Sequence, residues 1–438
     1  MLLTPTRTSN PTRTPTTAPP APTARPMPSG AVSRLLAGPP LGAGAESRHE
    51  HLARLGPLPS AAARDTIPTL EASGLLGRGG AGFPVGRKWR TVAERSAGGA
   101  VVLVNGAEGE PLSAKDRALM TLRPHLVLDG AQLAADAVGA DEVVLYIGSG
   151  HGSARAAIAR ALAERAGGSR VSMRIVDAPD RYVAGEESAA VHFVNDADAR
   201  PTATPPRPFE RGVGGRPTLV QNVESLAYAA LIARGGDAWY RAVGRGLTPG
   251  TGLVTVTGAP IAGVREIELG TTVGEVAADA GLGRGAPGAV LLGGYFGSWL
   301  AVDEAWPLAL DPAGLRAGGR AFGCGVVSFH DAAACGVAAT ARIMAYMAGQ
   351  SAAQCGPCVF GLRAIADAMR RLAAGSARPD DLARLDVWSG QLVGRGACRH
   401  PDGAVGLLAS ALRVFGPDFR RHGDRRACEV AGGPAVAA

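Results

Sequence analysis

The segment SAAQCGPCVFG, residues 351–361, holds two cysteines at Cys-x-x-Cys spacing, Cys355 and Cys358. Thiolates at this spacing on a tight turn can reach one metal site, and the spacing is shared by redox dithiols, zinc sites and iron–sulfur ligand runs. A four-cysteine zinc site needs a second such pair, which this sequence does not contain. A thioredoxin-like dithiol lies beside a βαβ unit, whereas this pair falls in a region predicted to be helical. A third ligand must therefore come from elsewhere in the chain.

A second chemical candidate is the glycine-rich stretch GLLGRGGAGFPVGRKW, residues 74–89. Its glycines let backbone amides approach a phosphate or a flat ring without a clash from Cβ. Arg78 and Lys88 add positive charge, and Phe83 offers a stacking face. The order of glycines does not match a Rossmann fingerprint after a strand, so the stretch alone is also compatible with an ordinary glycine-rich loop.

Two acidic blocks follow. NGAEGEPLSAKDR, residues 105–117, comes directly after a predicted buried strand and offers acceptors for ribityl or ribose hydroxyls at Asn105, Glu108 and Glu110. YVAGEESAAVHF, residues 182–193, places Glu186 and Glu187 after a glycine at a predicted strand–helix turn. In the first block, Lys115, Asp116 and Arg117 could instead form a solvated helix start. For Glu186 and Glu187 the alternative is ordinary capping of a helix start.

Alternating strands and helices must position these residues. Apolar runs predict buried strands at 97–106, 141–150 and 171–179, a helix at 126–139 follows the first strand, and another helix is predicted at 219–236. Such repeated βαβ units predict a mainly parallel sheet covered by helices. Ligands of these sheets lie at the carboxyl ends of the strands, where the loops above are placed.

The pattern changes along the rest of the chain. Short alternating strands and a capping box at Thr272 and Glu275 predict a small β-grasp-like module at about 250–310, and helical spacing dominates from about 330. Residues 1–30 are mostly Pro, Thr and Ala and are predicted to be disordered. The predicted divisions are a tail at 1–30, a nucleotide-binding domain at 31–245, a β-grasp domain at 246–318 and a helical domain at 319–438.

Composition excludes several classes of protein. The 438 residues carry a net charge of +7 without a concentrated basic run, and only 5% are aromatic, which argues against nucleic-acid binding. No apolar stretch is long enough to cross a bilayer, and the start lacks the apolar core of a secretory signal, so we expect a cytoplasmic protein with no direct membrane insertion. Lys88 and Lys115 are the only lysines in an arginine-rich sequence, which suggests that lysine is needed at these positions.

In their order, these blocks resemble the flavoprotein subunit of respiratory NADH dehydrogenase (complex I). That family includes the NADH-oxidising subunits of NAD-linked hydrogenases and formate dehydrogenases. The resemblance also rests on GGRPTLVQNVESLA and QCGPC, and it covers roughly residues 60–420. It implies an α/β fold with a Rossmann-like FMN- and NAD-binding domain, a small β-grasp (ubiquitin-like) domain, and a C-terminal helical bundle that carries an iron–sulfur site.

The resemblance implies FMN, NAD(H) and a [4Fe–4S] cluster as cofactors. Hydride transfer runs between the cofactors, so no protein nucleophile is implied, and Glu110 and Glu187 support the reaction from the NADH side. Phe83 stacks on the dinucleotide, and Lys88, Asn105 and Asn222 bind FMN. The implied cofactor contacts are Gly77, Arg78, Gly79, Gly80, Gly82, Phe83, Lys88, Asn105, Glu108, Glu110, Tyr182, Gly185, Glu186, Glu187 and Asn222.

The implied cluster ligands are Cys355, Cys358 and Cys398, but Ala352 stands where the family has its first cysteine. His400 is the predicted substitute, because histidine replaces thiolate in Rieske centres. Cys335, Ser351 or water are the alternatives. The chain also departs from the family pattern in the flavin and dinucleotide regions, and the residues found there are Thr91, Ala107, Pro206 and Gln221.

The implied function is that of an electron-input subunit. It takes a hydride from NAD(P)H onto FMN and passes single electrons to the cluster and then to a partner, which is an iron–sulfur or ferredoxin-like subunit or a membrane-bound reductase. Such a subunit is cytoplasmic and can be peripheral on the inner face of the membrane. A flavin-only diaphorase with a vestigial cluster region and a non-catalytic docking subunit are the alternatives.

Overall fold

The computed structural model describes residues 24–26, 33–59, 62–97, 99–165 and 171–426. Within these ranges the strands are β1 Ala24–Pro26, β2 Ala100–Gly106, β3 Ala140–Gly148, β4 Ser172–Ala178, β5 Thr218–Asn222, β6 Thr251–Thr257, β7 Gly263–Glu268, β8 Pro287–Leu292, β9 Ser298–Ala301 and β10 Val326–Asp331. The helices are α1 Arg48–Leu55, α2 Ala62–Ser73, α3 Val85–Ala93, α4 Lys115–Leu122, α5 Pro124–Val138, α6 Gly152–Ala163, α7 Glu187–Asp196, α8 Val223–Arg241, α9 Val273–Asp279, α10 Val302–Ala305, α11 Pro312–Ala317, α12 Gly336–Gly349, α13 Arg363–Ala373, α14 Asp381–Leu392, α15 His400–Val414 and α16 Gly416–Gly423.

The first sheet is parallel throughout and has the strand order β4-β3-β2-β5. Alternate residues of β2 enter different cores: Val102 and Val104 pack with α5 and α8, whereas Val101 and Leu103 pack with α7. Helices thus cover both faces, which is why β2 is a continuous apolar run. The three predicted strands and the predicted helix at 126–139 are present, and Gly139 ends that helix in the left-handed conformation.

Strand β5 was not predicted. The run LVQNVESLAYAALI suggested one helix, but residues 218–222 form a strand beside β2, and α8 begins directly after it. Because β2 has β3 on one side and β5 on the other, the direction of winding reverses between β2 and β5. The crevice at such a reversal is where open α/β sheets bind ligands.

The second sheet is mixed and has the order β1-β7-β6-β10-β8-β9. β6 pairs antiparallel with β7 and parallel with β10, and β8 pairs antiparallel with both β10 and β9. The predicted capping box is present at the start of α9.

Two predicted divisions need correction at this sheet. Residues 24–26, inside the predicted tail, form β1 beside β7, while 1–23 and 27–32 lie outside the described residues. The central strand β10 lies at 326–331, beyond the predicted domain end at 318. Both strands are held by partners distant in sequence, and composition does not reveal such pairing.

The C-terminal helices α12 to α16 pack around a core that they share with β8 and β9 of the second sheet, through Ala289, Leu291 and Trp299. This core buries the four residues that were predicted at helical spacing, Leu362, Ile365, Met369 and Leu372. Gly375 follows their helix with a positive φ. A π-helical turn at 357–362 joins the Cys-x-x-Cys segment to α13. Among the described residues, the structure has no helix with the length and apolar character of a membrane span.

Candidate cofactor and cluster sites

The glycine-rich loop closes on itself and lies across the crevice between β2 and β5. The Gly77 N–H donates to the Phe83 carbonyl at 2.9 Å. A Cβ on Gly79 would lie 3.4 Å from Cβ of Asn222, and Gly80 has a φ of +105° that side chains rarely adopt. The backbone of this loop therefore approaches the end of β5 as closely as a cofactor cradle requires.

The loop is held from the other side by Arg316. Its guanidinium donates to the carbonyls of Ala81 and Gly82 at 2.8 and 3.1 Å. Arg316 belongs to α11, which follows β9 along the chain. The glycine-rich loop therefore contacts both the first sheet and this helix.

The side chain of Arg78 does not face the crevice. It is 3% exposed and extends into the interior, where it donates to the Tyr240 hydroxyl and the Thr251 carbonyl and lies 3.7 Å from the Glu224 carboxylate. Burial makes an ion pair necessary for this guanidinium. Arg78 contributes to the loop through its backbone, whose N–H donates to Ser225 Oγ at 2.9 Å, and the expected positive charge in the loop falls to Lys88.

A buried ionic network forms the floor of the crevice. The Lys115 ammonium lies 2.6 Å from Asp116 and 2.9 Å from Glu224. Asp116 also accepts from the Asn222 side-chain amide at 2.7 Å. Burial outweighs the neighbouring ammonium and raises the pKa of Asp116 to about 7, with the Glu108 carboxylate adding to the rise. The pKa of Lys115 is raised, because its two carboxylate partners outweigh its burial.

Two asparagines face each other across the reversal point. Asn105 and Asn222 are register partners at the ends of β2 and β5. The Asn105 amide donates to the Gly185 carbonyl at 2.8 Å, which ties β2 to the YVAGEESA segment. Asn222 caps α8 by accepting from the Glu224 N–H. The structure thus brings three of the predicted blocks to one crevice.

Two of the predicted carboxylates serve as helix caps. Glu108 has a φ of +42°, and its carboxylate accepts from the backbone N–H groups of Asp116 and Arg117 at the start of α4. Glu186 accepts from the N–H groups of Ser188 and Ala189 and caps α7. The capping alternative predicted this role for Glu186 but not for Glu108. The alternative of a solvated helix start was wrong for Lys115 and Asp116, which are buried.

The open side of the crevice carries exposed charge and an aromatic ring. Lys88 Nζ lies 3.1 Å from Glu187 Oε2, and Arg207 Nη1 lies 3.7 Å from Glu187 Oε1. Phe83 is 49% exposed, so its ring is accessible for stacking. Arg207 places a cation next to Pro206, the position where the family pattern has lysine.

Glu110 lies where the sheets and the helical bundle meet. Its carboxylate accepts from the Tyr295 N–H at 2.8 Å, the Leu112 N–H at 3.3 Å and the Tyr182 hydroxyl at 3.1 Å. The side chain is 6% exposed, and burial raises its pKa to about 7 in spite of these donors. Tyr182 packs edge-on against Tyr346 of α12. The Glu110 carboxyl is therefore linked to the first sheet, the second sheet and the helical bundle.

Several residues of the site were not predicted. A cavity of about 150 Å³ opens at the ends of β2, β3 and β4, lined among others by Glu110 and His151. Within the described residues, His151 Nδ1 is buried without a hydrogen-bond partner. Cys324 Sγ lies 4.0 Å from a Cβ built on Gly80, and burial raises its pKa to about 12. Cys324 stands outside the quoted motifs, and Glu224, although it lies within GGRPTLVQNVESLA, has partners distant in the sequence.

The second site lies in the helical bundle. Cys358 is buried, and its backbone N–H donates to the Cys355 carbonyl at 3.1 Å, so the two cysteines share one tight turn. Burial raises the pKa of Cys358 to about 12, with Cys355 and Cys398 adding to the rise. Among the described residues no group of three or more His, Cys, Asp or Glu side chains is arranged around a single ion. An iron–sulfur cluster does not need such an arrangement around one ion, since each of its ligands binds a different iron.

His400 and Cys335 were the other ligand candidates. His400 Nε2 is 2.7 Å from the Met347 carbonyl, and its Nδ1 is buried without a partner among the described residues. Its ring packs edge-on against Tyr182 and Phe296, with centroids 5.7 and 5.8 Å away. Cys335 caps α12 and lies 3.4 Å from His422 Nε2, so it has a separate environment. Cys428 lies outside the described residues.

Both sites fit the groups expected for them. Gly79, Gly80 and Gly185 leave space that a Cβ would occupy, and amide side chains converge on that space. This suits a flavin and its phosphate. The thiols of Cys355, Cys358 and Cys398 influence one another's charge, and iron in clusters prefers thiolate ligands. A crevice for a dinucleotide-type cofactor and a separate thiol site together define a flavin- and iron–sulfur-dependent oxidoreductase.

Known proteins place the chain within this class. A family model described as the Nuo51 FMN-binding domain matches residues 70–230, and one described as the NADH-ubiquinone oxidoreductase-F iron–sulfur binding region matches residues 338–422. The second F subunit of the NADH-quinone oxidoreductases of Rhizobium meliloti (strain 1021) is 30% identical over 380 residues, covering 83% of this chain and 90% of the relative. The F subunit of the Streptomyces coelicolor NADH-quinone oxidoreductase is 30% identical over 397 residues, covering 87% and 88%.

A solved structure agrees. The crystal structure of NAD⁺-reducing [NiFe]-hydrogenase in the H₂-reduced state matches with a TM-score of 0.76 and 29% identity, covering 86% of this chain and 67% of that chain. The chain belongs to the family of the NADH-quinone oxidoreductase F subunits, which confirms the predicted resemblance. It is an oxidoreductase flavoprotein subunit with an FMN-binding region and a 4Fe–4S-binding region.

Proposed function

We propose that the chain oxidises NADH at FMN held between β2 and β5, and delivers the electrons through a cluster in the helical bundle to an iron–sulfur partner subunit. The observation that carries this proposal is the meeting of Asn105, Asn222 and the glycine-rich loop at the reversal point of a parallel sheet. When bound, FMN accepts the hydride as an electron pair and releases electrons one at a time.

The residues of the crevice have separate tasks in this proposal. The backbone from Gly77 to Gly82 contacts the flavin, and Asn105 and Asn222 orient it. Lys88, which the family resemblance assigned to FMN, faces the open side with Phe83 and Arg207. There these three bind the rings and phosphates of NADH. Binding of a dinucleotide phosphate would compete with the Lys88–Glu187 pair, so that this exposed ion pair opens when NADH enters.

Glu110 and Tyr182 link the crevice to the bundle. Burial keeps the Glu110 carboxyl close to half-protonated near neutral pH, because its pKa is raised to about 7, so the charge beside the crevice depends on pH. Tyr182 donates to Glu110 and contacts the His400 ring, two residues after Cys398.

In this proposal, electrons leave the chain from its C-terminal helical region. Cys355, Cys358 and Cys398 hold the cluster, and Phe360, which follows Cys358 closely, is 74% exposed. An exposed aromatic ring beside the thiols supports contact with a partner subunit there.

We further propose that residues 251–331 form a β-grasp module. Its first and last strands along the chain, β6 and β10, lie side by side and run parallel within the order β7-β6-β10-β8-β9. The proposed location is cytoplasmic, with peripheral attachment to the inner face of the membrane through the partner.

Anaerobic purification followed by an absorption spectrum tests the proposal. Flavin bands that bleach on addition of NADH, together with iron and sulfide, are expected. Asn105→Ala is expected to lower flavin content, whereas Asn195→Ala, at an asparagine that binds the 212–214 backbone outside the crevice, is not. Flavin without iron would favour the flavin-only diaphorase, and protein that cannot be reconstituted with FMN would leave only a docking role.

A further inference from the structure

Cys335 and His422 form a thiol–imidazole pair that the proposed function does not use. Cys335 immediately precedes α12, is partly exposed and forms no disulfide. The Cys-x-x-Cys segment comes after the other end of the same helix. Cys335 Sγ lies 3.4 Å from His422 Nε2, which is hydrogen-bond distance for sulfur. A nucleophile in contact with a base is the first requirement for an activated thiol.

The His422 ring is held in the orientation that a base needs. His422 is 4% exposed in the last turn of α16, and its Nδ1 is 2.8 Å from the Leu372 carbonyl. Because a carbonyl oxygen can only accept, Nδ1 carries the proton of the neutral ring and Nε2 carries the lone pair. The lone pair therefore belongs to the nitrogen that contacts Cys335, and it can take the thiol proton.

The start of α12 stabilises negative charge on the same sulfur. The Ala338 N–H donates to Cys335 Sγ at 3.4 Å, so the sulfur serves as the N-cap of this helix. The N-terminus of a helix carries a partial positive charge, which favours a thiolate placed there. Cys335 thus has a base that contacts it, a carbonyl that orients the base and a helix end that stabilises the thiolate.

Other cysteines lie in surroundings that favour the protonated thiol. Burial raises the pKa of Cys324, Cys358 and Cys398 above the ordinary value. Within the described part of the chain, the hydrogen bond between a cysteine sulfur and a histidine nitrogen is found at Cys335. Partial exposure also lets a small reagent reach this sulfur, so Cys335 is the thiol to which the structure assigns reactivity.

We propose that Cys335 is a redox modification site, where the thiol activated by His422 forms a mixed disulfide with a low-molecular-weight disulfide. The Cys335 sulfur attacks one sulfur of the small disulfide, so that a new S–S bond forms and the original S–S bond breaks. His422 accepts the Cys335 proton, which then passes to the released thiolate. The Cys335 sulfur is oxidised and the released sulfur is reduced, so the step needs no other oxidant. This inference is independent of the cofactors of the proposed function.

Oxidised glutathione is the probe, and mass spectrometry of the full chain at pH 7 follows the loss of the free Cys335 thiol and the growth of its glutathione adduct. An ordinary thiol is only about 3% ionised at this pH, so complete proton transfer would raise the thiolate population about thirtyfold. Since a thiolate of lower basicity is a weaker nucleophile, we expect a gain in rate of about tenfold over the urea-unfolded chain. The rate of N-acetylcysteine in each buffer corrects for the effect of urea.

His422→Gln removes the base, and we expect it to lower the rate at Cys335 about tenfold. His192→Gln is the matched control, because His192 Nδ1 is likewise 2.9 Å from a carbonyl, that of Arg200, and this variant should react like wild type. An unchanged rate in folded His422→Gln would overturn the proposal. If His422→Gln does not fold, the wild-type comparison decides, since a folded Cys335 that reacts no faster than the unfolded one would also overturn it.

Discussion

Replacing Glu110 by glutamine should abolish the pH dependence of stability that this position contributes. In the folded protein, burial raises the pKa of Glu110 from its ordinary value of 4.5 to about 7. The folded state therefore binds the proton more tightly than the unfolded state, and the stability from this group is complete below pH 4.5 and is lost as pH rises to about 7. At roughly 1.4 kcal/mol for each pH unit between the two values, the loss is about 3 kcal/mol.

Glutamine does not ionise, but its amide cannot accept from every donor. Glu110 accepts from Tyr295, Leu112 and Tyr182, and the glutamine NH₂ would face one of these donors at a cost of about 1 kcal/mol. The variant should therefore be about 1 kcal/mol less stable than wild type near pH 4.5 and about 2 kcal/mol more stable at pH 8, given these opposing effects.

Urea unfolding of both proteins from pH 4.5 to pH 8.5 measures this difference in the free energy of unfolding. Asp303→Asn, at a side chain that is 91% exposed, controls for loss of a surface charge. A difference between Glu110→Gln and wild type that stays constant across the pH range would refute the reasoning, because it would mean that the buried carboxyl has the same pKa in the folded and unfolded chains.

Three further predictions concern the crevice. Lys115→Met should lower the free energy of unfolding by about 3–5 kcal/mol, because two buried carboxylates lose their ammonium. Lys88→Met, at the more exposed lysine, should have a much smaller effect. Equal urea midpoints for the two variants would contradict this reasoning. Burial raises the pKa of the Cys324 thiol to about 12, so the thiol should react slowly with iodoacetamide at neutral pH. Mass spectrometry should show still slower labelling when FMN is bound. Labelling that FMN does not affect would place the flavin elsewhere. Gly79→Val should reduce the flavin retained on purification, since its side chain would extend toward Asn222, and full retention would argue against close approach of this loop.

The sequence predicted the parts of the fold that local patterns govern. Buried apolar runs identified β2 and β3, and the glycine at 139 ended the intervening helix. Strand β5 was missed because a five-residue strand passes directly into α8 without a turn residue to separate them. Its last residue, Asn222, was nevertheless assigned to FMN through the family motif rather than through its position.

The site shows the same limit at the level of side chains. Arg78 looked like a charge for the loop, but its buried partner Glu224 belongs to α8 and is not recognisable from the loop sequence. The replacement of a cysteine by Ala352 was visible in the sequence, whereas the left-handed backbone of Ala353 that follows it was not. Long-range partners of buried charges are determined by packing, which a single sequence does not specify.

The contrast between the two lysines makes the protein suited to site-selective amine chemistry. Lys115 is enclosed in its ion pairs with a side chain that is 3% exposed, whereas the side chain of Lys88 is 27% exposed beside Glu187. Of the two lysines, an N-hydroxysuccinimide reagent should therefore modify Lys88 and spare Lys115 in the folded chain. Because acylation removes the positive charge of Lys88, the labelled chain should bind the dinucleotide more weakly than the unlabelled chain.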